Sequence, residues 1–156
     1  MSLSVYSEIG PLREVLVHSP GEEVDVMPPS MMQELLFDDI IYGPRARVEH
    51  ARFCSILEKL GVKVVDTQNL LREALESAPE ASAQLLGEIA RLEGLTEATS
   101  KTLQDSSAPT LADRLVAGIR AAPEDSQPDE LFQLPPLPNL LFSRDAQVGA
   151  WEWNDP

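Results

Sequence analysis

Cysteine occurs once in the 156 residues, at Cys54. A lone cysteine excludes an internal disulfide and any zinc cluster built on several thiolates. Bases are scarce: 12 Lys and Arg stand against 26 Asp and Glu, a formal charge of −14. Phosphate binding needs clustered Lys and Arg, so this balance argues against a nucleic-acid or anionic-lipid surface. No apolar run approaches the roughly 18 residues of a membrane span. Met1 to Gly10 lacks the basic-then-apolar order of a secretory signal. The expectation is a cytoplasmic protein with neither nucleic acid nor membrane as a partner. What remains is ordinary globular material, 43% hydrophobic and 24% charged, which rules out wholesale disorder.

The first segment reads as strand, turn, strand. Val5–Ile9 is broken by the turn dipeptide Gly10-Pro11, and Glu14–His18 follows, bounded by Ser19-Pro20-Gly21. Val15 and Val17 face one way, Leu16 and His18 the other. Both faces are mostly apolar, which predicts a strand covered on both sides. Ser30 is placed to cap a short helix through Leu36. Asp38 and Asp39 then fall inside the apolar run Leu35–Tyr42, so they must reach a surface or accept hydrogen bonds. Pro44 opens a long helix that Gly61 ends. Phe53, Leu57 and Leu60 mark its predicted buried face, and Val62–Val65 is a strand.

From Asp66 to about Ala122 the pattern is helical, in short pieces. Leu70, Leu71, Ala74 and Leu75 stripe one helix; Leu85, Leu86, Ile89, Ala90 and Leu92 stripe another, ending at Gly94. Thr96 to about Gln104 forms a weaker third. Thr110 caps a predicted fourth, with Leu111, Leu115, Val116 and Ile119 on its apolar side. Between Thr67 and Glu130 lie 12 acids and 5 bases, half of the net charge, as a solvated surface. Pro123, Pro128, Pro135, Pro136 and Pro138 predict an extended connector, because proline blocks both helix and central strand. Leu140-Leu141-Phe142 reads as a strand again. Trp151 and Trp153 alternate in a last strand without a partner, a poor domain boundary, so a chain cut short is expected.

Taken alone, Asn139–Asp145 is a strand ending in polar residues, with Arg144–Asp145 as a surface pair worth under about 1 kcal/mol. The ends of such strands are nevertheless where α/β proteins place ligand contacts. Cys54 lies mid-helix beside Phe53, the setting of a small buried hydrophobe. His18 and His50 fit structural or surface roles.

Three segments together resemble one family. Ser7–Arg13 with Val15–Gly21 is similar to the opening hairpin of the arginine deiminases, within the superfamily of five-bladed α/β propellers that modify guanidino groups. Glu34-Leu35-Leu36-Phe37-Asp38-Asp39-Ile40 resembles that family's ELLFDD segment. Pro136-Leu137-Pro138-Asn139-Leu140-Leu141-Phe142-Ser143-Arg144-Asp145 resembles its PLPN-x-x-F-[ST]-R-D segment, the most specific of the three. The helical stretch matches the family's insert in position and character only.

The resemblance implies a partial α/β propeller with an inserted all-helical bundle. Residues 1–66 would be the first propeller module, 67–122 the bundle, 123–138 the connector and 139–156 the start of the next module. It implies hydrolysis of L-arginine to L-citrulline and ammonia through a cysteine intermediate, with no metal or organic cofactor. Two carboxylates hold the guanidinium by forked, charge-assisted hydrogen bonds, and a histidine moves protons. Asp145 matches the first of those carboxylates, and Phe142 a ring lining the substrate slot. Asn139 matches a contact to the substrate's amino-acid end, and Leu36 a backbone contact nearby; Asp38 and Asp39 are assigned to loop structure. The family's nucleophilic cysteine, histidine, second guanidinium carboxylate and carboxylate-holding arginines all fall beyond Pro156. This chain alone is therefore expected to be inactive. The alternative is a catalytically inactive, truncated guanidinium-binding or interaction module. An incomplete propeller exposes apolar edges, so a homo-oligomer is a further expectation.

Overall fold

The computed structural model describes residues 9–121 and 131–143. Five α-helices and two small sheets make up a mixed α/β arrangement. The described residues do not close into a propeller. The expected strand Val5–Ile9 lies outside them apart from Ile9, which sits in a bend.

Strand β1 (Glu14–Val17) and strand β2 (Lys63–Asp66) pair in parallel, with Glu14 opposite Lys63 and Val17 opposite Asp66. Parallel strands need a crossover, and helix α1 (Gly43–Lys59) supplies it. Pro44 sits in its first turn. At its end Gly61 takes φ +83°, and Val62 N–H reaches back to the Leu57 carbonyl at 3.0 Å. That left-handed stop is the one glycine makes at least cost.

The predicted buried face of α1 is not buried. Phe53 is 51% and Leu60 75% exposed, and only Gly43 of the helix is buried. The described sheet is two strands wide and α1 rests chiefly on β2, so of that face only Leu57 is half-buried. β1 is likewise covered only in part: Val15 and Leu16 are half-buried, whereas Val17 and the following His18 are buried.

The helical stretch follows β2 directly as α2 (Thr67–Ser77), α3 (Pro79–Leu92), α4 (Glu97–Gln104) and α5 (Ala108–Ala117). Pro79 starts α3, and Gly94, at φ +64°, follows its end. The fourth helix begins earlier than Thr110, with Ser107 in the capping place, because Pro109 fits the first helical turn. Leu75, Leu86, Leu103, Leu111, Ala112, Leu115 and Leu134 form one apolar cluster, with Leu71, Ile89, Leu95 and Ile119 against it. The core therefore sits in the bundle. Each fully buried leucine contributes roughly 1.5–3 kcal/mol.

Within the proline-rich connector, β4 (Phe132–Leu134) pairs antiparallel with β3 (Ile119–Arg120) as a short edge pairing, which extended chain between Pro128 and Pro135 permits. Two local expectations are corrected. Leu140–Phe142 is not a strand but part of a 3-10 helix, Pro138–Phe142. Pro138 fixes the first φ of that turn, and Leu140 N–H closes on the Leu137 carbonyl at 3.1 Å. Ser30 does not cap a helix; it lies inside the 3-10 helix Pro29–Met31, whose start is set by Pro29.

Candidate functional site

The segment Glu34–Ile40 begins as the end of a helical turn. Leu35 N–H bonds to the Met31 carbonyl and Phe37 N–H to the Met32 carbonyl, both at 2.9 Å. Between them Leu36 takes φ +60°, the left-handed conformation that usually selects glycine. Its side chain is 90% exposed. This reversal turns Phe37 inward, where its ring meets Phe142 with centroids 5.8 Å apart and planes tilted by 49°. The two motif segments, distant in sequence, thus touch through their phenylalanines.

Asn139 and Phe142 lie on the 3-10 helix led by Pro138, and Ser143 Oγ donates to the Leu140 carbonyl at its end. Asn139 is exposed and Phe142 half-exposed. Asp39 accepts Ile40 N–H at 2.7 Å, the loop role assigned to the acidic pair, and Asp38 is exposed. The structure therefore brings Phe142 beside the residue that follows Leu36. Asp145 lies outside the described residues, as does Arg144.

A second constellation sits at the carboxyl ends of β1 and β2. His18 and Glu23, each 2% exposed, pair through Nε2 and Oε1 at 3.1 Å, and Gly21 N–H donates to the same oxygen. Arg47 of α1 ties to Asp25 at 2.8 Å and to the Gly21 carbonyl. Across from this loop Asp66 ends β2 and caps α2. Burial pushes the Asp66 carboxyl up, but hydrogen bonds from Ser19, Asn69 and Gln68 outweigh it and leave it below the ordinary aspartate value. Asp113 of α5 is also held low, chiefly by its hydrogen bond from Arg72, against partial burial. An open cleft of about 600 Å³ separates the two sides, lined by Ser19, Glu22, Asp66, Asn69, Arg72 and Asp113 among others. Its carboxylates at Glu23, Asp66 and Asp113 are engaged by neighbouring donors.

Cys54 is half-buried rather than buried, with Sγ 3.6 Å from Nδ1 of His50. Burial, then Glu58 and Asp66, push this thiol up, and burial lowers the His50 pKa against the pull of Asp66. A nucleophilic cysteine needs the opposite environment. Among the described residues no three His, Cys, Asp or Glu side chains converge as metal ligands, and no helix is long and apolar enough to cross a membrane.

Sequence reasoning missed Phe37 as a partner of Phe142, and treated Asp66 only as a boundary. An aspartate between a β-branched run and a helical stripe is an N-cap signal that could have found the second.

A strand–helix–strand unit feeding a helical bundle, then returning to a proline-led turn beside its first loop, defines the class: an α/β protein with its core in a helical segment. The family model for arginine deiminase matches residues 33–151. The arginine deiminase of Clostridium perfringens is 36% identical over 160 residues, covering 92% of this chain and 39% of that protein. Those of Metamycoplasma arthritidis and Lactococcus lactis are 38% and 34% identical, each covering 94% of this chain and 38% and 40% of theirs. The chain belongs to the arginine deiminase family, and it spans less than half the length of these relatives.

Proposed function

We propose that this chain is the N-terminal part of a cytoplasmic hydrolase that converts L-arginine to L-citrulline and ammonia, within a five-bladed propeller whose later modules come from further polypeptide. The match to arginine deiminases over nearly the whole chain carries this reading. The Phe37–Phe142 contact supports it, since it gathers the two segments assigned to substrate.

In this reading Asp145 accepts two N–H bonds from the planar guanidinium, a geometry suited to a forked donor. Phe142 lines the slot for that group, and Asn139 and the Leu36 backbone meet the amino-acid end. A thiolate on the remaining polypeptide attacks the guanidinium carbon. The departing nitrogen takes a proton from a histidine there and leaves as ammonia. Water then adds to the thioether-linked carbon and expels the thiolate, giving citrulline. Cys54 takes no part, because its surroundings keep the thiol protonated.

A second reading, a catalytically inactive guanidinium-binding or interaction module, draws on the same Cys54 environment. The two separate on one assay. Joined to the polypeptide that the C. perfringens relative carries beyond the matched region, this chain should release citrulline from arginine, and alone it should release none. Asp145→Ala in the joined enzyme should remove most turnover, since an unpaired buried guanidinium loses several kcal/mol. Silence of the joined wild type would leave only the second reading. Near-normal turnover by Asp145→Ala would remove that aspartate from the site.

A further inference from the structure

We infer that Phe37 is a positioning residue for substrate binding: its ring fixes the 3-10 helix that carries Asn139 and Phe142. The inference rests on the functional reading above, which gives Asn139 and Phe142 their roles and gives Phe37 none.

Three observations converge on Phe37. Its ring lies 5.8 Å from that of Phe142, tilted by 49°, within the range in which aromatic pairs attract beyond simple burial. Phe142 is half-exposed, and Phe37 supplies a ring contact to its covered part. The 3-10 helix is only five residues long, and at its ends Leu140 N–H closes on the Leu137 carbonyl and the Ser143 hydroxyl on the Leu140 carbonyl. Such short helices have poor hydrogen-bond geometry and rely on tertiary contact.

The third observation is conformational cost. Leu36 holds φ +60° with its side chain 90% exposed, so it suffers left-handed strain and buries nothing in return. What that conformation accomplishes is the direction of the next residue. The bond from Phe37 N–H to the Met32 carbonyl locks the reversal, and Phe37 is thereby aimed at Phe142. The strain at Leu36 and the contact at Phe37 are parts of one device.

Phe37 touches no reacting atom, so its loss should weaken ground-state and transition-state binding equally. In the enzyme made by joining this chain to the remaining length of the C. perfringens relative, Phe37→Ala should raise KM for arginine about three- to tenfold with kcat changed less than about twofold. Phe37→Tyr should restore the wild-type KM. In the isolated chain, Phe37→Ala should speed hydrogen exchange at the Leu140 amide, and Phe37→Tyr should not. Phe37→Leu, which keeps bulk but loses the ring, serves if the alanine variant does not fold, with the same direction in KM. An unchanged KM in a folded, active variant overturns the inference and leaves the functional reading standing. Absence of turnover in the joined wild type overturns both.

Discussion

Asp66 accepts the Ser19 amide at 3.0 Å across the strand pair while its other oxygen accepts the Gln68 and Asn69 amides at 2.9 and 3.2 Å. One carboxylate thus ends β2, starts α2 and clasps the loop after β1. Removing it strips a helix cap and leaves the Ser19 amide without its acceptor. Asp66→Ala should therefore cost about 1–3 kcal/mol in urea unfolding. Asp66→Asn, which keeps an acceptor oxygen, should cost less. Equal stability of wild type and the alanine variant would mean that these three amides find water as readily as they find the carboxylate.

The same carboxylate sets an acid limit. Asp66 and Asp113 both have folded pKa values below the ordinary one. A depressed carboxyl pKa contributes stability that is fully present above the unfolded value of about 4 and is lost as pH falls through the folded value. Stability should hold from neutral pH down to about pH 5 and fall below pH 4. Asp113 lies in a largely exposed pair with Arg72, where solvent screens the interaction, so Asp66 should dominate. The test is the midpoint of urea unfolding against pH for wild type and Asp66→Asn. A wild-type curve no steeper below pH 4 than that of the variant would assign the acid sensitivity elsewhere.

Gly118 joins α5 to β3 at φ +79°, where an added Cβ would lie 2.6 Å from the Leu134 carbonyl oxygen and 2.7 Å from Pro136 nitrogen. Both obstacles are backbone and cannot rotate away. Gly118→Ala should lose more than about 1 kcal/mol from the left-handed conformation and the clash together, visible as a drop in melting temperature. Gly87 offers the contrast: it lies mid-helix in α3 with open space where a Cβ would go. Gly87→Ala should stabilise by about 0.5–1 kcal/mol. A pair of variants moving in the same direction would contradict the structural distinction.

The local punctuation of this chain was legible and its long-range contacts were not. Pro44 and Gly61 bracket α1, and Pro79 and Gly94 bracket α3, because each acts on its own backbone. The β-branched runs around Val15 and Val64 likewise gave the two parallel strands. Leu140-Leu141-Phe142 misled, because a short apolar run does not by itself tell a strand from a tight turn, and Pro138 decided between them. The side of α1 bearing Phe53 and Leu60 has helical spacing, yet burial depends on what packs there, which spacing does not encode. Asn139 and Phe142 were singled out through motif resemblance alone. Phe37 was not, since its significance lies in a contact between distant segments. Asp145 lies outside the described residues.

Leu36 offers the sharpest separation of strain from packing. A leucine at φ +60° pays a penalty that glycine avoids, and at 90% exposure it has almost no apolar burial to set against it. Glycine also gains freedom in the unfolded chain, which offsets part of the relief. Leu36→Gly should therefore stabilise the chain by a few tenths to about 1 kcal/mol. Leu36→Val, with its branch at Cβ, should destabilise it, because bulky β-branched residues tolerate this conformation worst. Urea midpoints of the three proteins should rank glycine above leucine above valine. If the glycine variant instead proves weaker than wild type, the Leu36 side chain makes a stabilising contact that its exposure denies, and the strain would no longer mark the device that aims Phe37.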